Sequence, residues 1–155
     1  MEPMPRINKV TIRSLQIDDY VQLVQSFRRT YTDGSDVFWS QSQIEKLITI
    51  FPEGQIVAVA DKKIVGCALS IIVDYDMVKN DHTYDAVTGH ETFDTHKPDG
   101  NILYGIEVFI HPEYRGLRLA RRMYDYRKDL CESLNLKAIM FGGRIPNYHK
   151  YADQL

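Results

Sequence analysis

The sequence predicts an α/β (α+β) domain: a mixed, mostly antiparallel sheet flanked by helices, in the order β-α-α-β-β-β-α-β. Three observations predict it. The apolar spacing switches repeatedly between period two and period 3.6 along the chain. Two β-rich runs meet at a tight charged turn, which is an antiparallel hairpin signal. A long helix with one apolar face separates the last two strands, and such a helix packs on a sheet rather than standing alone. The chain has 155 residues, 44% hydrophobic and 26% charged. That is the profile of one globular domain large enough to bury a core without cross-links.

The elements follow in order. "KVTIRSL" (Lys9 to Leu15) sets Val10 and Ile12 against Thr11 and Arg13, a strand alternation. Ile17, Tyr20, Val24 and Phe27 recur at three and four residues, so a helix follows, closed by the loop chemistry of "TDGSD" (Thr32 to Asp36). Ser40 with Gln43 three residues on is a capping-box pattern, and Ile44, Leu47, Ile48 and Phe51 form the stripe of a second helix. Pro52 to Gly54 stops it. Gln55 to Tyr75 reads as two strands hinged at Asp61, Lys62 and Lys63, and Asn101 to Pro112 as a fourth strand. Leu119, Met123, Tyr126, Leu130 and Leu134 mark one face of the long helix, and Lys137 to Arg144 a last short strand. There is no internal repeat.

Between the third and fourth strands, Asp74 to Asn101 carries seven acidic residues against two lysines, with His82, His90 and His96. A segment of that length is either a solvated excursion or a lid that selects substrate. The histidine spacings match no metal motif, so no metal is expected. Cys67 and Cys131 lie in an apolar strand and on a helix face, and are expected to be buried and reduced. No apolar run is long enough for a membrane helix, and "MEPMPRINKV" has no apolar leader core. A cytoplasmic location and no membrane partner are expected. With a net charge of -2 and basic residues gathered locally, nucleic acid is not an expected partner. Trp39 reads as a packing residue.

The most informative stretch is "HPEYRGLRLARRMYD" (His111 to Asp125). It sits where a strand ends and a helix begins. The first turn of a helix exposes unpaired N–H groups at the positive end of its dipole, a ready anion site. Gly116 permits close backbone approach, and Arg115, Arg118, Arg121 and Arg122 add charge. Phosphate is the natural guest. A Walker loop and a dinucleotide fingerprint are both absent. The alternative is a basic helix start that only makes surface ion pairs.

This stretch resembles motif A of the GNAT superfamily of N-acetyltransferases, [QR]-x-x-G-x-[GA]. Arg115 fills the first position and Ala120 the last, while Arg118 stands where the family usually has glycine. The resemblance runs from Val10 to Arg144. With "GGRIPNYHKYAD" it is similar to a subgroup in which such a domain precedes a carbon–nitrogen hydrolase domain. The family fold has a further helix and two more strands, so residues 1–155 are expected to be one acetyl-CoA-binding domain, a fragment of a longer protein, with the C-terminal strands missing. The resemblance implies that the backbone of Arg115, Gly116, Leu117, Arg118, Leu119 and Ala120, with Arg121 behind, holds the diphosphate of acetyl-CoA. It implies that Val108, Phe109 and Ile110 hold the pantetheine arm strand-fashion, and that Asn147 hydrogen-bonds the cofactor. The Arg118 side chain either pairs with a phosphate or narrows the site.

The chemistry states its own demand. An alkylammonium group of pKa about 10.4 must lose a proton before it attacks a thioester, which costs roughly 4.6 kcal/mol at pH 7. Glu107 interrupts an apolar strand and is the candidate general base, the alternative being an edge residue or an ion-pair partner. The resemblance points to tyrosines after the fifth strand as proton donors to the leaving thiolate; here Tyr148 and Tyr151 are available. The expected activity is transfer of an acetyl group from acetyl-CoA to a primary amine, on a small molecule or peptide, by direct attack. The acidic segment hints at a cationic acceptor. The alternative is a GNAT-like module that binds acyl-CoA without catalysis beside a hydrolase domain.

Overall fold

The computed structural model describes residues 10–30, 38–78, 87–88 and 92–144, with the backbone alone at 115–117 and 141–144. Five strands form one sheet in sequence order: β1 (Val10–Ser14), β2 (Ile56–Ala60), β3 (Lys63–Val73), β4 (Ile102–Ile110) and β5 (Ala138–Arg144). The first three pairings are antiparallel and β4–β5 is parallel. Helices α1 (Tyr20–Thr30) and α2 (Gln41–Ile50) follow β1, the single turn α3 (Tyr75–Val78) follows β3, and α4 (Leu119–Ser133) links β4 to β5. Each predicted element is present. The parallel last pair needs a crossover, and α4 supplies it.

The helices divide the core between the two faces of the sheet. Leu23 and Phe27 of α1 and Ile44 and Leu47 of α2 pack on Cys67, Leu69 and Ile71 of β3 and on Tyr104, Ile106 and Phe109 of β4. Leu119 and Met123 of α4 cover the other face at Ala58, Ala68 and Ile110. Cys131 joins Phe51, Ile72 and Leu103 lower on that face. Both cysteines are free and buried, and burial pushes the Cys67 thiol well up. The Ser40 capping box forms as the sequence predicts, with the Gln43 N–H donating to Ser40 Oγ at 3.2 Å and the Ser40 N–H to Gln43 Oε1 at 2.8 Å.

One irregularity positions everything that follows. Leu69 pairs with Glu107 and Ser70 with Gly105, so Ile106 is an extra residue in β4. A bulge of this kind breaks strict alternation. Below it Leu103 faces α4; above it Glu107 and Phe109 face α1 and α2, beside Ile106. Two side chains fix β3 opposite the bulge. β2 begins at Ile56, and the buried carboxamide of Gln55 just before it continues its ladder. Gln55 Nε2 donates to the carbonyls of Ser70 (2.7 Å) and Phe51 (3.0 Å), and Oε1 accepts the Ser70 N–H at 2.9 Å. From the other face Arg127 Nη2 donates to Ser70 Oγ at 3.2 Å. Arg127 is itself buried, and loss of hydration brings its guanidinium down to about 10.

The acidic segment is not simply a solvated excursion. Val87 and Phe93 are buried in the α1–α2 core, and Lys46 of α2 pairs with Asp94. His96 Nδ1 accepts the Ile72 N–H at 3.0 Å, its ring stacks on Phe51, and the Lys97 N–H donates to the Ile72 carbonyl at 2.7 Å. His82 and His90 lie outside the described residues.

Candidate active site

Glu107 lies in the middle of the sheet, not at an edge, and is 1% exposed. That corrects the edge-residue alternative: β4 is flanked by β3 and β5. Its Oε1 accepts a hydrogen bond from Trp39 Nε1 at 3.2 Å. Trp39 is held in turn by packing on Phe93, with ring centres 5.3 Å apart, and its carbonyl accepts the Tyr20 hydroxyl at 2.7 Å. The chain's one tryptophan therefore packs, as expected, and also orients the candidate base, a role that sequence reading missed. Its position two residues before a helix gave no sign that it would meet Glu107, 68 residues away.

The β4–β5 ladder slips at the same place. Gly105 pairs with Phe141 and Glu107 with Arg144, two steps on one strand against three on the other. Beyond that point Val108, Phe109 and Ile110 pair with Ala68, Cys67 and Gly66 of β3, and among the described residues with none of β5. Among the described residues, no strand pairs with the β5-side edge of these three, and such an edge is the kind a strand-like ligand can extend. The side chains take no part in that edge: Phe109 is in the α1–α2 core against Phe27 and Phe38, and Val108 and Ile110 pack beneath α4.

The basic corner has a definite backbone shape. Pro112–Leu117 forms 3-10 turns, opened by Pro112 and by His111, whose Nδ1 accepts the Glu113 N–H at 3.2 Å. Arg118 follows with φ 58° and ψ 28°, in the left-handed region, and α4 starts at Leu119. A right-handed turn running into a left-handed residue gathers successive N–H groups into a concave nest that suits an anion. It also explains the glycine the family prefers here, because a side chain in this conformation is strained. The four arginines do not act alike. Arg121 Nε pairs with Asp125 at 3.1 Å and Arg122 Nη2 donates to the Val10 carbonyl at 3.0 Å, while Arg118 is exposed. All four are at the corner as expected, but Arg121 and Arg122 already have partners, on their own helix and on β1. Leu119, the first residue of α4, is buried against the sheet, so only its backbone could serve a ligand, and Ala120 is half-buried beside it. At Arg115, Gly116 and Leu117 the backbone lies in the turn. Asn147, Tyr148 and Tyr151 fall outside the described residues. Among the described residues no group of three or more His, Cys, Asp or Glu side chains could hold a metal ion, and no helix is long and apolar enough to cross a membrane.

Comparison with known proteins bears on this geometry. The chain is 37% identical over 147 residues to the probable hydrolase YhcX of Bacillus subtilis (strain 168), covering 95% of this chain and 28% of that protein. It is 28% identical over 152 residues to the uncharacterized N-acetyltransferase YkwB of the same organism, covering 97% and 67%. Among solved structures, the loading GNATL domain of CurA from Lyngbya majuscula superposes with a TM-score of 0.72 at 21% identity, over 94% of this chain and 70% of that one. The model of the acetyltransferase (GNAT) family matches residues 20–152. With a bulged fourth strand, a left-handed turn before the long helix and that match, the chain belongs to the GNAT acetyltransferase family.

Proposed function

We propose that this domain is an acetyl-CoA-dependent N-acetyltransferase acting on a primary amine. The observation that carries the reading is Glu107: a carboxylate buried in mid-sheet, oriented by Trp39 Nε1, at the point where β4 and β5 fall out of register. A purely structural strand has little use for such a group there, because burying a carboxylate is costly. The diphosphate of acetyl-CoA fits the nest at 112–119, and its amide-bearing arm fits the open edge of Val108–Ile110. That path leads to Glu107.

The acceptor enters as an ammonium group on the α1–α2 side, where Trp39 and Phe93 form a wall. Glu107 removes a proton, directly or through a water. The amine nitrogen attacks the thioester carbonyl, a C–N bond forms, and the C–S bond breaks. The departing thiolate takes a proton from Tyr148 or Tyr151. The nitrogen, cationic after its attack, returns its second proton to that tyrosinate, and Glu107 gives its proton up to solvent. The acidic character of Asp74 to Asn101 favours a cationic acceptor, on a small molecule or a peptide. We further propose that the domain works beside a hydrolase domain of carbon–nitrogen type.

The test mixes the protein with acetyl-CoA and a panel of amines and follows free thiol. Thiol release that depends on an amine and is lost in Glu107→Gln supports the reading. A second reading, acyl-CoA binding without chemistry, is favoured by the strained Arg118 side chain at the phosphate turn. It predicts thermal stabilisation by coenzyme A with no thiol release from any amine.

A further inference from the structure

A separate cleft of about 340 Å³ lies on the β3 side of β4, away from the open edge. Its walls are α1, the β2–β3 turn, the start of β3 and the residues just after β4. It shares Glu113 and Tyr114 with the turn at 112–117, and none of 118–121 lines it. Arg29 of α1 and Lys62 and Lys63 of the turn bring three cations to it, against the one carboxylate of Glu113. None of the three makes an ion pair with a described residue. Gln22 and Gln25 add amide donors.

Two further features point to a ligand. Ser26, 4% exposed, lines the cleft, and among the described residues its Oγ has no hydrogen-bond partner. Buried hydroxyls are normally satisfied, so one left open beside a cationic cleft is a donor held in reserve. The second feature is the turn. Asp61 and Lys62 adopt φ of 51° and 68°, the two left-handed positions of a tight hairpin that favour asparagine and glycine. A lysine there strains the backbone, and it lines the cleft together with Arg29 and Lys63.

We propose that this cleft binds a small phosphate-bearing anion, a phosphomonoester or diphosphate, independently of the acyl donor. Guanidinium, two ammonium groups, a hydroxyl and two amides suit the several oxygens of a phosphate better than the two of a carboxylate. The inference goes beyond the acetyltransferase reading and does not depend on it.

The experiment titrates inorganic phosphate and pyrophosphate into protein saturated with coenzyme A, by calorimetry and 31P NMR. One saturable site per chain is expected. Arg29→Gln with Lys63→Gln should weaken it by roughly tenfold or more, the scale of a lost charge-assisted hydrogen bond. Lys62→Gly separates binding from folding: it should bind more weakly while melting no lower than the parent, because glycine relaxes the turn. Absence of anion binding at millimolar concentration, or unchanged affinity in these variants, overturns the proposal. If the protein takes up no coenzyme A, the same titration without it, compared across the same variants, still decides the cleft while the acetyltransferase reading fails separately.

Discussion

Glu107 and Trp39 make the sharpest residue-scale claim. Glu107→Gln keeps the shape and the Trp39 contact but cannot take a proton. We expect amine-dependent thiol release to fall by about 100-fold or more, the lower end of what a general base contributes, with coenzyme A affinity kept. An unchanged rate would remove Glu107 from the mechanism. Trp39→Phe keeps ring packing on Phe93 and deletes only the indole N–H. It should lower kcat about tenfold with little change in KM, since a freed carboxylate samples unproductive orientations. Because Trp39 is the sole tryptophan, its emission in the parent should respond to Glu107→Gln, and a spectrum blind to that change would mean the contact is not made. Arg118→Gly tests the strained turn. Relief of a left-handed side chain should add about 1 kcal/mol and raise the melting temperature by about 2–4 °C. Coenzyme A should bind at least as tightly; a drop in affinity would instead show that the Arg118 side chain pairs with a phosphate.

At the scale of elements, the bulge in β4 depends on a side chain acting as strand. Gln55→Leu fits the volume but strands the Ser70 N–H and carbonyl in the core. We expect a loss of about 2–4 kcal/mol in chemical denaturation, the cost of two buried polar groups left without partners. A change below about 0.5 kcal/mol, ordinary for a surface position, would mean that Gln55 does not clamp the strand. The strap at His96 adds a pH dependence. Burial lowers its affinity for a proton from the ordinary 6.5, with Glu53 opposing, and Nδ1 must stay unprotonated to accept the Ile72 N–H. As pH falls below 6.5 the unfolded chain takes up a proton that the folded strap refuses. Stability therefore declines through that window, and the decline ends once the folded histidine titrates too. His96→Gln should flatten the slope of unfolding free energy between pH 7 and 5 relative to the parent.

For the molecule as a whole, the sheet order brings the turn at 112–119 and the cleft beside Arg29 together past the end of β4, where they share Glu113 and Tyr114. Coenzyme A that binds only the folded state should stabilise it by about 2.7 kcal/mol at 100 times its Kd. The chain spans 28% of YhcX and 67% of YkwB, so the acceptor specificity of a longer protein is a question for that protein.

By itself the sequence determined the elements, because periodicity, the Ser40 capping box and the Asp61–Lys62 turn are local chemistry that a few residues suffice to encode. It also marked the basic strand-to-helix corner that we propose holds phosphate, since Pro112, Gly116 and the arginines are contiguous. Only the tertiary structure decided the site. Trp39 reaches Glu107 across 68 residues, Gln55 completes β3 at Ser70 across 15, and an added residue at Ile106 turns Glu107 toward α1 and α2. Strict alternation along β4 misses that turn, and alternation is all that one strand can show. A bulge is a property of two paired strands, and a hydrogen bond between distant residues exists only once packing has brought them together.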